Sequence, residues 1–139
     1  MSSAREHALD LITRYYNTFN SGDREAFLEL LTDDVKHDIN QGGCDEGKEN
    51  FRIFLQRMDR CYKEQVCELQ VFASDDGSRG AAEFFIDGKY LSTDEGLPEA
   101  NGQTYYLRVG AFFGIRDGKV ARISNYYNLQ DWLKQVGAA

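Results

Sequence analysis

The chain has 139 residues, enough for one domain with a sizeable core, and it is rich in aromatics: nine Phe, eight Tyr and one Trp beside a single proline. Its formal charge of −7 excludes nucleic acid and anionic membrane surfaces as partners, because both are bound through a basic face. No low-complexity run occurs, no apolar stretch approaches the roughly 20 residues that span a bilayer, and Cys44, Cys61 and Cys67 lack zinc-type spacing.

The opening MSSAREHALDL is charged and has no apolar signal-peptide core, so a soluble cytoplasmic protein with three reduced thiols is expected. Ser3 and Glu6 have the spacing of a capping box, and Ala8, Leu11, Ile12, Tyr15 and Phe19 then recur at helical period. Asn20-Ser21-Gly22-Asp23 stops this helix, and Asp23 caps a short second one through Phe27, Leu28, Leu30 and Leu31. Thr32-Asp33-Asp34 reads as a turn and Val35 to Asn40 as a short strand. A third helix follows Gly47, its stripe made by Phe51, Phe54, Leu55, Met58, Cys61 and Tyr62. From Val66 the period becomes strand-like: Val66 to Ala73, Gly80 to Leu91, Gln103 to Ile115 and Val120 to Asn128. Ser74-Asp75-Asp76-Gly77 and Arg116-Asp117-Gly118-Lys119 are the tight turns. The polar loop Ser92 to Gly102 joins the two longest strands, and Asn128 caps a last helical turn, Leu129 to Val136. Helices first and antiparallel strands later predict a single α+β domain over 1–139, a curved antiparallel (mixed) sheet wrapped around N-terminal helices.

Two stretches carry a family resemblance. RYYNTFNSGDREAFLELLTDDV (Arg14 to Val35) and GQTYYLRVGAFFGIRDGKVARISNYYNLQDWL (Gly102 to Leu133) resemble the opening helices and closing hairpin of the nuclear transport factor 2-like superfamily. That group includes ketosteroid isomerases, limonene epoxide hydrolases and SnoaL-like polyketide cyclases, and the resemblance implies a cone-shaped domain. The isomerases use an Asp base, a Tyr donor and a protonated Asp donor. The resemblance puts Tyr15, in the pair Arg14-Tyr15, at the tyrosine. Counting back from Gly47 puts Asp38 at the base, with Ile39 where a proline would follow; counting forward from Asp33-Asp34 selects Ile39 unless one residue is gapped. Ala111 falls at the second donor. The epoxide hydrolase arrangement is excluded, since Asn125 stands at a required Asp and the required Arg falls near Phe84 or Phe85.

The candidate site follows from strand alternation and this resemblance. Tyr15 points inward from the apolar face of helix 1, either as a core tyrosine or as a donor to a substrate carbonyl. In HDINQGG (His37 to Gly43), regular alternation from Val35 sends His37 and Ile39 inward and Lys36, Asp38 and Asn40 outward. A bulge near the strand end would reverse this and bring Asp38 inside. In both registers one acid–base group of the pair looks into the cone, and Tyr15, Asp38 and His37 are the catalytic candidates. By resemblance the pocket face of the last strand is Ala121, Ile123, Asn125 and Tyr127, and Tyr105 lies on the pocket face of the strand before it. Asn125, Tyr105, Tyr127 and Asn40 are therefore the candidates for contact with substrate. The loop with Asp94, Glu95 and Glu99 is either solvated or a lid at the pocket mouth. No spaced metal-ligand set joins His37 to Asp33, Asp34 or Asp38, so neither metal nor cofactor is expected. The implied function is isomerase-like acid–base chemistry on a small apolar carbonyl compound. Its rival is a non-catalytic ligand-binding or dimerisation module, and nothing in the chain marks the partner groove of a transport adaptor. Tyr106, Arg108 and Phe112 on the outer face suit a homodimer interface.

Overall fold

A computed structural model describes residues 3–39 and 42–137. Helix α1 (Ala4–Ser21) starts where the Ser3 hydroxyl accepts from the Glu6 N–H and ends at Gly22, whose φ of 82° supplies the left-handed cap. It buries Ala8, Leu11, Ile12 and Tyr15 of the expected stripe, together with Tyr16, and leaves the stripe's Phe19 half-buried. Asp23 caps α2 (Arg24–Glu29) in the same way, accepting from the Ala26 N–H.

Six strands form one mixed sheet in the order β2-β1-β6-β5-β4-β3. Strand β1 (Leu31–Asp38) begins earlier than expected, because Thr32-Asp33-Asp34 continues the strand through a register shift between Leu31 and Lys36 instead of turning. Strand β2 (Cys44–Glu46), an antiparallel partner of β1, has no counterpart in the expected pattern: it is three residues long and offers no alternation. Helix α3 (Lys48–Cys61) then leads without a loop into β3 (Tyr62–Ala73). Strands β4 (Arg79–Tyr90), β5 (Thr104–Arg116) and β6 (Lys119–Tyr127) complete an antiparallel meander, and β1 joins its far edge in parallel to β6. The β5–β6 turn is exposed, with Asp117 and Gly118 both at positive φ (54° and 73°), as a tight hairpin requires. Asn128 caps α4 (Leu129–Gln135), which lays the buried Trp132 against Tyr90 and Tyr105.

The sheet curves around α1 and α3. Its inner face carries Ala82, Phe84 and Ile86 from β4 and Leu107, Val109, Ala111 and Phe113 from β5, all buried. On β6 a register shift between Gly114 and Ile115 makes Val120, not Ala121, the first inward residue, after which Ile123 continues the face. No helix among the described residues is long and apolar enough to cross a membrane.

Candidate functional site

The helices and the inner sheet face leave a cavity of about 400 Å³, to which the 91–103 connection contributes Asp94, Glu95 and Leu97. That volume lies in the range of small-molecule sites. Its wall is largely aromatic. Tyr15 packs on Phe27 and Phe113 with ring centroids 4.6 and 5.1 Å apart, and Tyr16 packs on Phe84 at 4.7 Å.

His37 and Asp38 take the regular register. His37 pairs with the fully buried Ile123 and is itself buried, its ring 4.7 Å from Phe51 and 4.5 Å from Phe54. Burial holds the imidazole below its ordinary pKa, against the weaker pull of Asp45 and Asp38, so the ring is neutral at pH 7. Its Nδ1 finds no hydrogen-bond partner among the described residues. Asp38 pairs with Ser124 on the opposite, outer face. Arg122 grips both carboxylate oxygens at 2.7 and 2.8 Å, and the Ser124 hydroxyl donates at 2.5 Å. These bonds pull the Asp38 pKa down to about 2. The bulge that would bring Asp38 inward does not form, because β1 runs in unbroken parallel register with β6 from Lys36 to Asp38. Asp38 is still counted in the cavity wall, but its carboxylate is engaged by Arg122 and Ser124.

Tyr15 is buried as expected and lines the cavity; burial pushes its phenol well up, so it remains a protonated donor. Tyr16, next along the helix, also lines the cavity, and its buried hydroxyl has no partner among the described residues. Asn125, Tyr127 and Tyr105 lie on the cavity wall where the resemblance put them. Asn40 lies outside the described residues.

Strand β3 adds a group that sequence reasoning missed. Glu64 faces the cavity and stands in register with Gly88 of β4, which in turn pairs with Tyr105 of β5. The Tyr105 hydroxyl donates to Glu64 Oε2 at 2.5 Å. The ring reaches across because Gly88 has no side chain: a Cβ there would stand 2.2 Å from two of its carbons. Burial raises the Glu64 pKa, and the Tyr105 bond only partly offsets it. The signal for Glu64 was present, since alternation carried back from Val66 puts Glu64 and Tyr62 on one face. The helical stripe ending at Tyr62 masked it.

The 91–103 connection is tied down. The Asp94 carboxylate is buried and takes Arg57 Nε and Nη2 at 2.8 and 2.9 Å and the Tyr62 hydroxyl at 2.8 Å. Burial pushes its pKa up, but the hydrogen bonds from Arg57 and Tyr62 outweigh it and the carboxyl stays ionised. The Tyr90 hydroxyl accepts the Asp94 N–H and donates to the Pro98 carbonyl, fixing the same segment twice more.

Residues 12–123 match the family described as SnoaL-like domain. A candidate polyketide cyclase from Pseudomonas putida KT2440 is 53% identical, aligned over 99% of this chain and 100% of its own, with a TM-score of 0.92. A second candidate polyketide cyclase, from Xanthomonas campestris pv. campestris, is 51% identical over 97% and 100% of the two chains at a TM-score of 0.94. A candidate ketosteroid isomerase from Kribbella flavida DSM 17836 shares the fold alone, at 20% identity, 91% and 81% coverage and a TM-score of 0.67. A search of the curated proteins gave no match.

Proposed function

The chain belongs to the SnoaL-like domain family, and from that premise we propose that its cavity binds a small, largely apolar carbonyl compound and moves a proton on it without a cofactor. The observation that supports this most is the pairing of aromatic walls with unpaired polar groups: His37 Nδ1 and the Tyr16 hydroxyl lack partners among the described residues. A buried polar group without a hydrogen bond costs about 1–3 kcal/mol, which a carbonyl or hydroxyl oxygen reaching it would recover. Neutral His37 offers one ring donor and one acceptor, so it can hold a polar atom or pass a proton. Tyr15 and Asn125 supply further donors on the same wall. The candidate cyclases at about half identity favour an aromatic or polyketide-like body for the ligand.

The rival reading, a binding module without chemistry, draws support from two features: Ala111 carries no polar group, and the Asp38 carboxylate is engaged by Arg122. We further propose a homodimer joined through the outer sheet face, where Phe72, Tyr106, Phe112 and Tyr126 stand exposed. Three free cysteines support a reducing, cytoplasmic setting.

Calorimetric titration with 2-tetralone, and with naphthalene as the body without the carbonyl, tests the cavity reading. The ketone should bind more tightly than the hydrocarbon. That preference should fall roughly tenfold in His37→Ala, the loss of one hydrogen bond, and be untouched in Asp38→Asn. Equal affinity for the two probes, or none for either, would sink the reading.

A further inference from the structure

Glu64 lines the cavity and has no ion-pair partner among the described residues. Arg24 attracts the Glu64 carboxylate from beyond ion-pair distance and is itself engaged by Asp59 at 2.7 Å. Asp94, the other buried carboxylate of the wall, has Arg57. A carboxylate left without a counterion among aromatic side chains opposes folding, and groups of that kind cluster where proton chemistry is done. The surroundings are arranged for it across three strands. The empty position at Gly88 admits the Tyr105 ring, whose hydroxyl takes Glu64 Oε2 and leaves Oε1 without a hydrogen bond among the described residues. Trp132 backs the Tyr105 ring at 6.0 Å, which fixes its direction.

We propose that Glu64 is the proton-transferring residue of this cavity, with Tyr105 as its positioning residue, and that the substrate is a ketone or 1,3-dicarbonyl compound with an apolar body. The assignment rests on the cavity being a carbonyl site. In the step, ionised Glu64 takes a proton from the carbon beside the carbonyl. The C–H electron pair becomes the C=C bond of an enolate, and the carbonyl π pair moves onto oxygen, where a wall donor such as the Tyr15 hydroxyl meets it. Neutral Glu64 then returns the proton to the same carbon or to its conjugated neighbour, so nothing is consumed. Burial raises the proton affinity of Glu64, and the Tyr105 bond favours its ionised form.

Proton NMR of 2-tetralone in D₂O follows the loss of the α-protons. The wild-type protein should exchange them faster than buffer. Glu64→Gln should lose that acceleration by about 10²–10⁴-fold, the usual contribution of a general base, while still binding the ketone and melting cooperatively. Glu64→Asp keeps the charge and should recover part of the rate. Tyr105→Phe removes a bond to the charged form, so the acid limb of the pH–rate profile should move upward, which a contact with only a structural role would not cause. Exchange by Glu64→Gln at the wild-type rate overturns the assignment, as does a wild-type protein that binds the ketone but exchanges nothing. A wild-type protein that does not bind 2-tetralone overturns the cavity reading and this assignment with it.

Discussion

Two carboxylates on one sheet respond to pH in opposite directions. Asp38 is held at about pKa 2 by Arg122 and Ser124, below its unfolded value of about 3.9. Its stabilising contribution is therefore complete above the unfolded value and is lost as pH falls towards 2. Glu64 is raised by burial, so the folded state holds its proton more tightly than the unfolded state does. Between the unfolded value of about 4.3 and the higher folded value, stability falls as pH rises. Glu64→Gln abolishes that titration. Its melting temperature should exceed that of the wild type by a margin that is smallest below the unfolded value and grows as pH rises towards the higher folded value. A margin independent of pH would show that Glu64 is hydrated in the folded protein. The two residues also differ in how they could be read beforehand. Alternation from Val35 gave His37 inward and Asp38 outward directly, whereas bringing Asp38 inward needed a gap in the family alignment that the β1–β6 register does not contain.

The helices, the tight turns and the four long strands were legible because each has a cap, a period or an Asp-Gly pair to announce it. What was illegible was a junction. Cys61 ends α3 and Tyr62 opens β3 with no intervening loop, so an apolar residue that served either pattern hid four strand residues, Glu64 among them. The 91–103 connection is the other instance: nothing in its composition separates a solvated loop from a tethered one, because the tethers, Arg57 and Tyr62, lie over 30 residues away in the chain. Asp94→Asn should test how much they hold. Arg57 is half exposed and can turn to water, so the fold should survive. Amide exchange across 92–98 should accelerate, and 2-tetralone should dissociate several-fold faster. Unchanged protection there would mean that the Tyr90 hydroxyl, through Asp94 N–H and the Pro98 carbonyl, secures the loop by itself.

At the scale of the whole molecule the sheet separates two tasks. Its concave side encloses the cavity, and its convex side carries four aromatic rings at 46–57% exposure, flanked by the Glu83–Arg108 ion pair. Such a surface on a chain of this size suits a second copy, aromatic centre to aromatic centre with a charged rim. Light scattering at tens of micromolar should give twice the chain mass, and Phe112→Glu should reduce it to one. A wild-type monomer at that concentration would refute the dimer. The strand order carries one more consequence, which concerns how the molecule is made. The meander from β3 to β6 pairs neighbours in sequence, but β1 has no place in the sheet until β6 exists, and the bond that joins Ser124 to Asp38 spans 86 residues. A growing chain therefore carries its first strand unpaired to the meander while β3 to β6 are synthesised, and among the described residues the hairpin to β2 is the sheet partner available to β1 in the meantime. His37 acquires its backing at Ile123 only once β6 has been made, so the pocket is completed by the last strand of the sheet and not by the first.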